Sequence, residues 1–166
     1  MTLVELNQLP EQEAQHAFMQ CCTSTIWVKN MVNARPFKTV QALYGSADLA
    51  WQGLSESDYL EAFDGHPKIG DVNSLRAKYA NTKELASGEQ GAVNVASEQV
   101  LQALSVGNDE YFDKFGFIFI VCATGKSAEE MLMLLQQRLP NEKATELMNA
   151  AEEQRKIFHI RLEKLL

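Results

Sequence analysis

The chain has 166 residues, enough for one domain with a true hydrophobic core and no need of covalent staples. With 46% hydrophobic and 22% charged residues, its composition excludes intrinsic disorder as the default reading. A formal net charge of −7 argues against a general nucleic-acid binder, which carries a basic patch, yet leaves room for a small anionic substrate held by a local arginine.

Pro10 is placed to open a first helix running to about Cys22. A second apolar-periodic stretch covers Thr25 to Ala34 and has to stop near Pro36, because the residue before a proline is kept out of helical geometry. Thr39 can cap a third helix with Val40, Leu43, Ala47 and Ala50 on one face. Ser55 to Asp58 reads as a capping box for a helix over Asp58 to Phe63. Regularity then breaks where Gly65 and Pro67 flank His66 and Gly70 follows, the signature of a loop. Helix returns around Leu75 to Tyr79, again from about Leu85 to Leu104, and once more after Asn108 to Lys114. Phe117 to Cys122 is rich in β-branched and aromatic residues, but no second strand exists to pair with it. It reads as a buried extended segment or the start of a helix. Ser127 with Glu130 boxes a helix to Leu139. Asn141 caps a long last helix to about Lys164, with Leu147, Ala150, Ala151, Gln154, Ile157, Phe158, Arg161 and Leu165 along its inner face. The expected class is all-α, a single domain over 1–166 built as a multi-helix bundle with a long C-terminal helix.

Three cysteines, Cys21, Cys22 and Cys122, are odd in number and form no C-x-x-C pair, so a disulfide framework and a structural zinc site are both disfavoured. They read as small apolar packing residues in a reducing, cytoplasmic setting. No basic-then-apolar leader opens the chain, and the longest apolar run, Phe115 to Ala123, is too short to span a bilayer. No membrane role is expected.

Four features can carry chemistry. His66 sits in a constrained loop and is the side chain best suited to moving a proton near neutral pH; the alternative is a surface or capping histidine. Glu89-Gln90, between Gly88 and Gly91, places a carboxylate beside a carboxamide where backbone can approach a ligand closely, or is simply a solvated helix terminus. Arg161 lies between Ile157 and Leu165 on the apolar face of the last helix and needs a partner, either an internal Glu or a substrate carboxylate. Phe115 to Ala123, if not helical, holds backbone N–H groups in an apolar setting, which a polar ligand can satisfy; otherwise it is plain core. His16 and His159 show no metal-ligand spacing, and Asp64 and Asp71 around His66 are a weak metal pattern.

His66-Pro67-Lys68-Ile69-Gly70, Glu89-Gln90, Lys114-Phe115-Gly116-Phe117 followed by Phe119-Ile120, Arg138-Leu139-Pro140-Asn141-Glu142, and Arg161-Leu162 occur in that order along nearly the whole chain. Together they resemble the 2-oxo-4-hydroxy-4-carboxy-5-ureidoimidazoline (OHCU) decarboxylases. The resemblance implies an all-α fold, usually a homodimer, that converts OHCU to (S)-allantoin and carbon dioxide in urate breakdown with no metal or organic cofactor. It also implies that OHCU decays on its own, so an assay has to separate the two routes. His66 then resembles the catalytic acid, Glu89 the carboxylate that works with it, and Arg161 the arginine near the substrate. Pro67, the stretch Ala86, Ser87, Gly88 and Gln90, and the backbone of Phe119, Ile120, Val121, Cys122 and Ala123 resemble the remaining substrate contacts. One departure stands out: the family often carries Ser three residues before the Glu, where this chain has Ala86. The competing readings are a non-catalytic helical interaction module and a metal-dependent hydrolase using His66 with Asp64 or Asp71.

Overall fold

The computed structural model describes the backbone except at Ile69 and residues 86–89, and side chains except at Ile69 and residues 80–97. Among the described residues there are nine helices and no strand, so the class is all-α. The helices fall into two compact units, Met1–His66 with Leu147–Leu166, and Pro67–Glu146.

The first unit holds α1 (Leu3–Gln8), α2 (Glu11–Met19), α3 (Thr25–Ala34), α4 (Val40–Trp51), α5 (Glu56–Asp64) and most of α9 (Lys143–Leu165). Its core is aromatic. Trp27 meets Phe158 with ring centroids 5.0 Å apart, and Phe18 meets Trp27 edge-on at 6.2 Å. Both indoles find acceptors inside that core: Trp27 Nε1 donates to the Ala47 carbonyl at 3.0 Å and Trp51 Nε1 to Ala151 at 2.9 Å. From α9 the residues Ala150, Ala151, Gln154, Phe158 and Leu162 are buried, one turn apart after the Ala pair. Leu162, rather than the expected Leu165, closes that stripe, because a spacing of four from Phe158 stays on the inner face.

Helix α1 is not foreseen above. Six residues are too few to show an apolar stripe, but Thr2 and Glu5 form a reciprocal capping box, Thr2 N–H donating to Glu5 Oε2 at 2.7 Å and Glu5 N–H to Thr2 Oγ1 at 3.2 Å. Helix α2 stops at Met19, short of Cys22, where the N–H groups of Cys21 and Cys22 both turn back to the Phe18 carbonyl. Pro10 stands at its N-cap.

The second unit holds α6 (Val72–Leu85), α7 (Gln90–Phe115) and α8 (Ala128–Arg138). Helix α6 starts earlier than its apolar residues suggest because Asp71 Oδ1 accepts from the Ser74 N–H at 2.7 Å. Helix α7 is continuous where two helices are expected across Gly107-Asn108. Its buried Leu101, Leu104, Tyr111 and Phe115 keep one face, and Gly107 continues it: a Cβ there would lie 2.6 Å from Leu135 Cδ2 of α8. The glycine is a packing contact, not a break. Gly116, at φ +79°, ends α7. Residues 116–127 are non-helical and not strand, which matches the extended-segment reading of Phe117 to Cys122 and not the helix-start alternative. Ser127 Oγ accepts from the Glu130 N–H and starts α8.

A buried carboxylate organises this unit. Glu146 accepts from Tyr111 OH at 2.5 Å, from Arg138 Nε at 2.6 Å and from Asn141 Nδ2 at 2.9 Å. Burial, then the Glu146 contact, raise the Tyr111 phenol well above its usual range.

Candidate active site

His66 follows the C-terminus of α5, its N–H donating to the Phe63 carbonyl at 3.1 Å. Gly65 is needed there for space and not for a left-handed turn, since its φ is −71° and a Cβ would lie 2.8 Å from Thr23 Cβ. Thr23, in the α2–α3 turn, donates from Oγ1 to the Glu61 carbonyl at 3.1 Å, which clamps the end of α5 just before the histidine.

The imidazole is half-buried, with Nε2 2.6 Å from Oε1 of Gln154 on α9. Gln154 is fully buried. An amide oxygen has no hydrogen to give, so with this amide orientation Nε2 carries the hydrogen and donates. Burial lowers the His66 pKa from 6.5, the Gln154 acceptor opposes that, and the charge of Arg161 adds to the lowering. Arg161 lies seven residues beyond Gln154, on the same face of α9, and is half-buried. Its partner among the described residues is neither of the two expected: Nη1 donates to the Cys21 carbonyl at 3.3 Å. Cys21 and Cys22 are themselves buried and pushed up to about 11 and about 12 by desolvation, so both stay neutral thiols. His66, Gln154 and Arg161 are thus brought together, with two inert thiols close to the arginine. The helical spacing puts Gln154 on the inner face of the last helix but gives it no role; a fully buried glutamine facing a histidine is visible only in three dimensions.

Ala86, Ser87, Gly88 and Glu89 lie outside the described residues, and so does the side chain of Gln90, whose backbone opens α7.

In the second unit, Pro67, Lys68, Asn108, Ile118 and Phe119 line a small cleft, which brings the expected contacts Pro67 and Phe119 together. The segment Phe119 to Ala123 is held through its carbonyls. Arg138 Nη1 donates to Ile120 O at 2.5 Å and Lys126 Nζ to Cys122 O at 2.7 Å. Arg138 also stacks on the Phe119 ring at 4.7 Å. No acceptor among the described residues takes the N–H of Phe119, Ile120 or Val121. A strap fixed by its carbonyls, with N–H groups left over, can donate to a developing anion. Among the described residues no group of three or more His, Cys, Asp or Glu side chains is arranged to hold a metal ion. Nor is any described helix long and apolar enough to cross a membrane.

Residues 7–163 match the family model described as OHCU decarboxylase. The chain belongs to the OHCU decarboxylase family. Among its relatives, the uric acid degradation bifunctional protein TTL of Arabidopsis thaliana is 37% identical over 145 residues, covering 87% of this chain and 45% of that protein. The 2-oxo-4-hydroxy-4-carboxy-5-ureidoimidazoline decarboxylase of Halalkalicoccus jeotgali is 26% identical over 166 residues, covering 99% of this chain and 92% of the relative. The chain therefore spans less than half the length of the bifunctional Arabidopsis relative and almost all of the shorter one. A crystal structure of an OHCU decarboxylase in the presence of (S)-allantoin superimposes with a TM-score of 0.70 at 36% identity, over 89% of this chain and 95% of that one.

Proposed function

We propose that this OHCU decarboxylase family member converts OHCU to (S)-allantoin and carbon dioxide without a cofactor, with His66 as the proton donor. The observation that carries the reading is the half-buried His66 beside Gln154 and Arg161, in a chain 36% identical to a decarboxylase crystallised in the presence of (S)-allantoin.

Loss of carbon dioxide breaks the bond between the carboxylate and the ring carbon and leaves an electron pair behind. That carbon also carries the hydroxyl and adjoins the ureido-bearing ring carbon, which is doubly bonded to nitrogen, so the pair forms a carbon–carbon double bond while the C=N pair moves onto nitrogen, leaving an enol. The protein then has three tasks: hold the substrate, stabilise the negative charge that develops as carbon dioxide leaves, and place one proton on one face of the ureido-bearing carbon while the enol hydroxyl gives up its own proton to become the ring carbonyl of allantoin. Arg161 suits the first, as its guanidinium donates to Cys21 O among the described residues and has further N–H groups to offer an anionic or ureido group. The N–H groups of Phe119 to Val121 suit the second. His66 suits the third. Its resting environment favours the neutral ring, so an arriving carboxylate, with Glu89 in the role the resemblance implies, supplies the negative charge that favours the imidazolium. The double-bond pair then takes the proton at the ureido-bearing carbon, and the imidazole returns to neutral. General acid catalysis of this kind contributes about 10²–10⁴-fold.

Pro67, Ala86 to Gly88, Gln90 and the Phe119 to Ala123 backbone remain the proposed substrate contacts. The unbroken family match over residues 7–163 supports reading 1–166 as one family domain, and the resemblance supports a homodimer, which light scattering measures. The activity itself is tested with purified protein and freshly made OHCU, followed by circular dichroism. An optically active (S)-allantoin signal above the background decay supports the proposal; product without optical activity, at the uncatalysed rate, removes it.

A further inference from the structure

Gln154 is one of three buried polar or charged residues among those described, with Ser24 and Glu146. Glu146 is satisfied by its surrounding donors. Gln154 is satisfied at one end only: Oε1 faces His66 Nε2 at 2.6 Å, while its Nε2 is buried with no hydrogen-bond partner among the described residues. A half-satisfied carboxamide in a core is unfavourable for folding, and a methionine of similar shape would pack there without that cost. The residue is thus explained better by what it does to His66 than by what it does for stability.

We propose that Gln154 is a positioning residue that keeps the hydrogen on His66 Nε2 in both protonation states, so that the proton delivered to substrate carbon is the one on Nδ1. The proposal rests on the reading of His66 as the donor. In the imidazolium both ring nitrogens carry hydrogen, and Nε2–H donates to Gln154. The Nδ1–H bond then breaks as the new C–H bond forms at the ureido-bearing carbon, the carbon–carbon double-bond pair left by loss of carbon dioxide makes that C–H bond, and the enol O–H pair becomes the new C=O as its proton leaves to water. The ring is left neutral as the Nε2–H tautomer, which is the tautomer an amide oxygen can hold. No rearrangement of the ring is needed between donation and the next protonation. Among the described residues, the charged group acting on His66 from the packed elements is Arg161 of α9, and the titratable groups next to that arginine are the thiols of Cys21 and Cys22, with Glu61 of α5 acting on Cys22.

Two measurements test this. Nitrogen-15 NMR of the wild-type histidine rings, above the His66 pKa, reads the tautomer directly and needs no activity. The Nε2–H form is expected, with a shift toward a mixed population in Gln154→Met. In the decarboxylation assay, Gln154→Met is expected to lower kcat by about 10–100-fold with little change in KM. The basic limb of its pH profile moves to lower pH, as an acceptor that favours the cation is gone. Gln154→Glu keeps an acceptor and adds charge, so it retains turnover and moves that limb to higher pH. A wild-type His66 in the Nδ1–H form, or a Gln154→Met protein with unchanged tautomer and pH profile, overturns the proposal. If the Met variant does not fold, the wild-type spectrum and the Glu variant decide. If the wild type shows the Nε2–H tautomer but no decarboxylation, the function reading has failed and the Gln154–His66 link has not.

Discussion

One ring nitrogen of His66 faces a buried amide oxygen, and the arginine in its field donates to a backbone carbonyl. At this scale the chemistry depends on which hydrogen bonds are already taken. Among the described residues Arg161 donates to Cys21 O, and its planar fork carries further N–H groups that a ligand can use. Arg161→Lys keeps the charge but loses the fork. It is expected to lower kcat/KM by about tenfold or more while the far-ultraviolet spectrum stays that of the wild type, given the typical worth of charged hydrogen bonds. Unchanged kinetics would show that the arginine acts as a point charge only. His66 was legible from sequence because Gly65 and Pro67 announce a constrained loop. The arginine was legible because a charge on an apolar stripe demands an explanation. Gln154 was not, since a polar residue on an inner helix face looks the same in sequence whether it faces backbone, another helix or the ring of His66.

Among the helices, glycine carries two opposite meanings, and only packing separates them. Gly107 and Gly45 both lie inside helices, α7 and α4. At Gly107 an added Cβ meets Leu135 Cδ2 at 2.6 Å and Cγ at 3.3 Å, and Leu135 is fully buried; at Gly45 it meets nothing within 4 Å. Alanine gains about 1 kcal/mol of helix propensity at either site. At Gly107 that gain is outweighed by overpacking worth about 1–3 kcal/mol. Gly107→Ala is therefore expected to lower the urea midpoint and Gly45→Ala to raise it; the same sign in both would refute the packing account of α7. The same ambiguity is why two helices were expected where one exists. Glycine followed by asparagine reads as a stop and a cap, and nothing local shows that the apolar face of Leu101 and Leu104 continues through it to Tyr111. The extended segment Phe117 to Cys122 was legible for the opposite reason: a strand-like run with no partner strand has few ways to be satisfied in a helical fold. The six-residue α1 was missed because its signal is two capping residues and not a stripe.

At the scale of the whole molecule, the all-α class and the long C-terminal helix followed from periodicity, and the ordered motifs pointed to the family that the match over residues 7–163 establishes. Burial also links the site to global stability. The folded-state pKa of His66 lies below its ordinary value of 6.5, so the unfolded chain binds the proton more tightly. The stability contributed by the neutral ring is present above about pH 6.5 and is lost as pH falls toward the folded pKa. His66→Asn removes that dependence. Melting temperatures measured on either side of this window should converge in the variant relative to the wild type, and a wild type that is instead stabilised by acid across the window would mean that His66 is held as the cation. The central claim is proton delivery by His66, and the variant is again the direct probe. Folded His66→Asn protein given fresh OHCU, with (S)-allantoin followed by circular dichroism, should form the optically active product about 10²-fold more slowly or worse. A folded variant that makes (S)-allantoin at the wild-type rate would contradict the account.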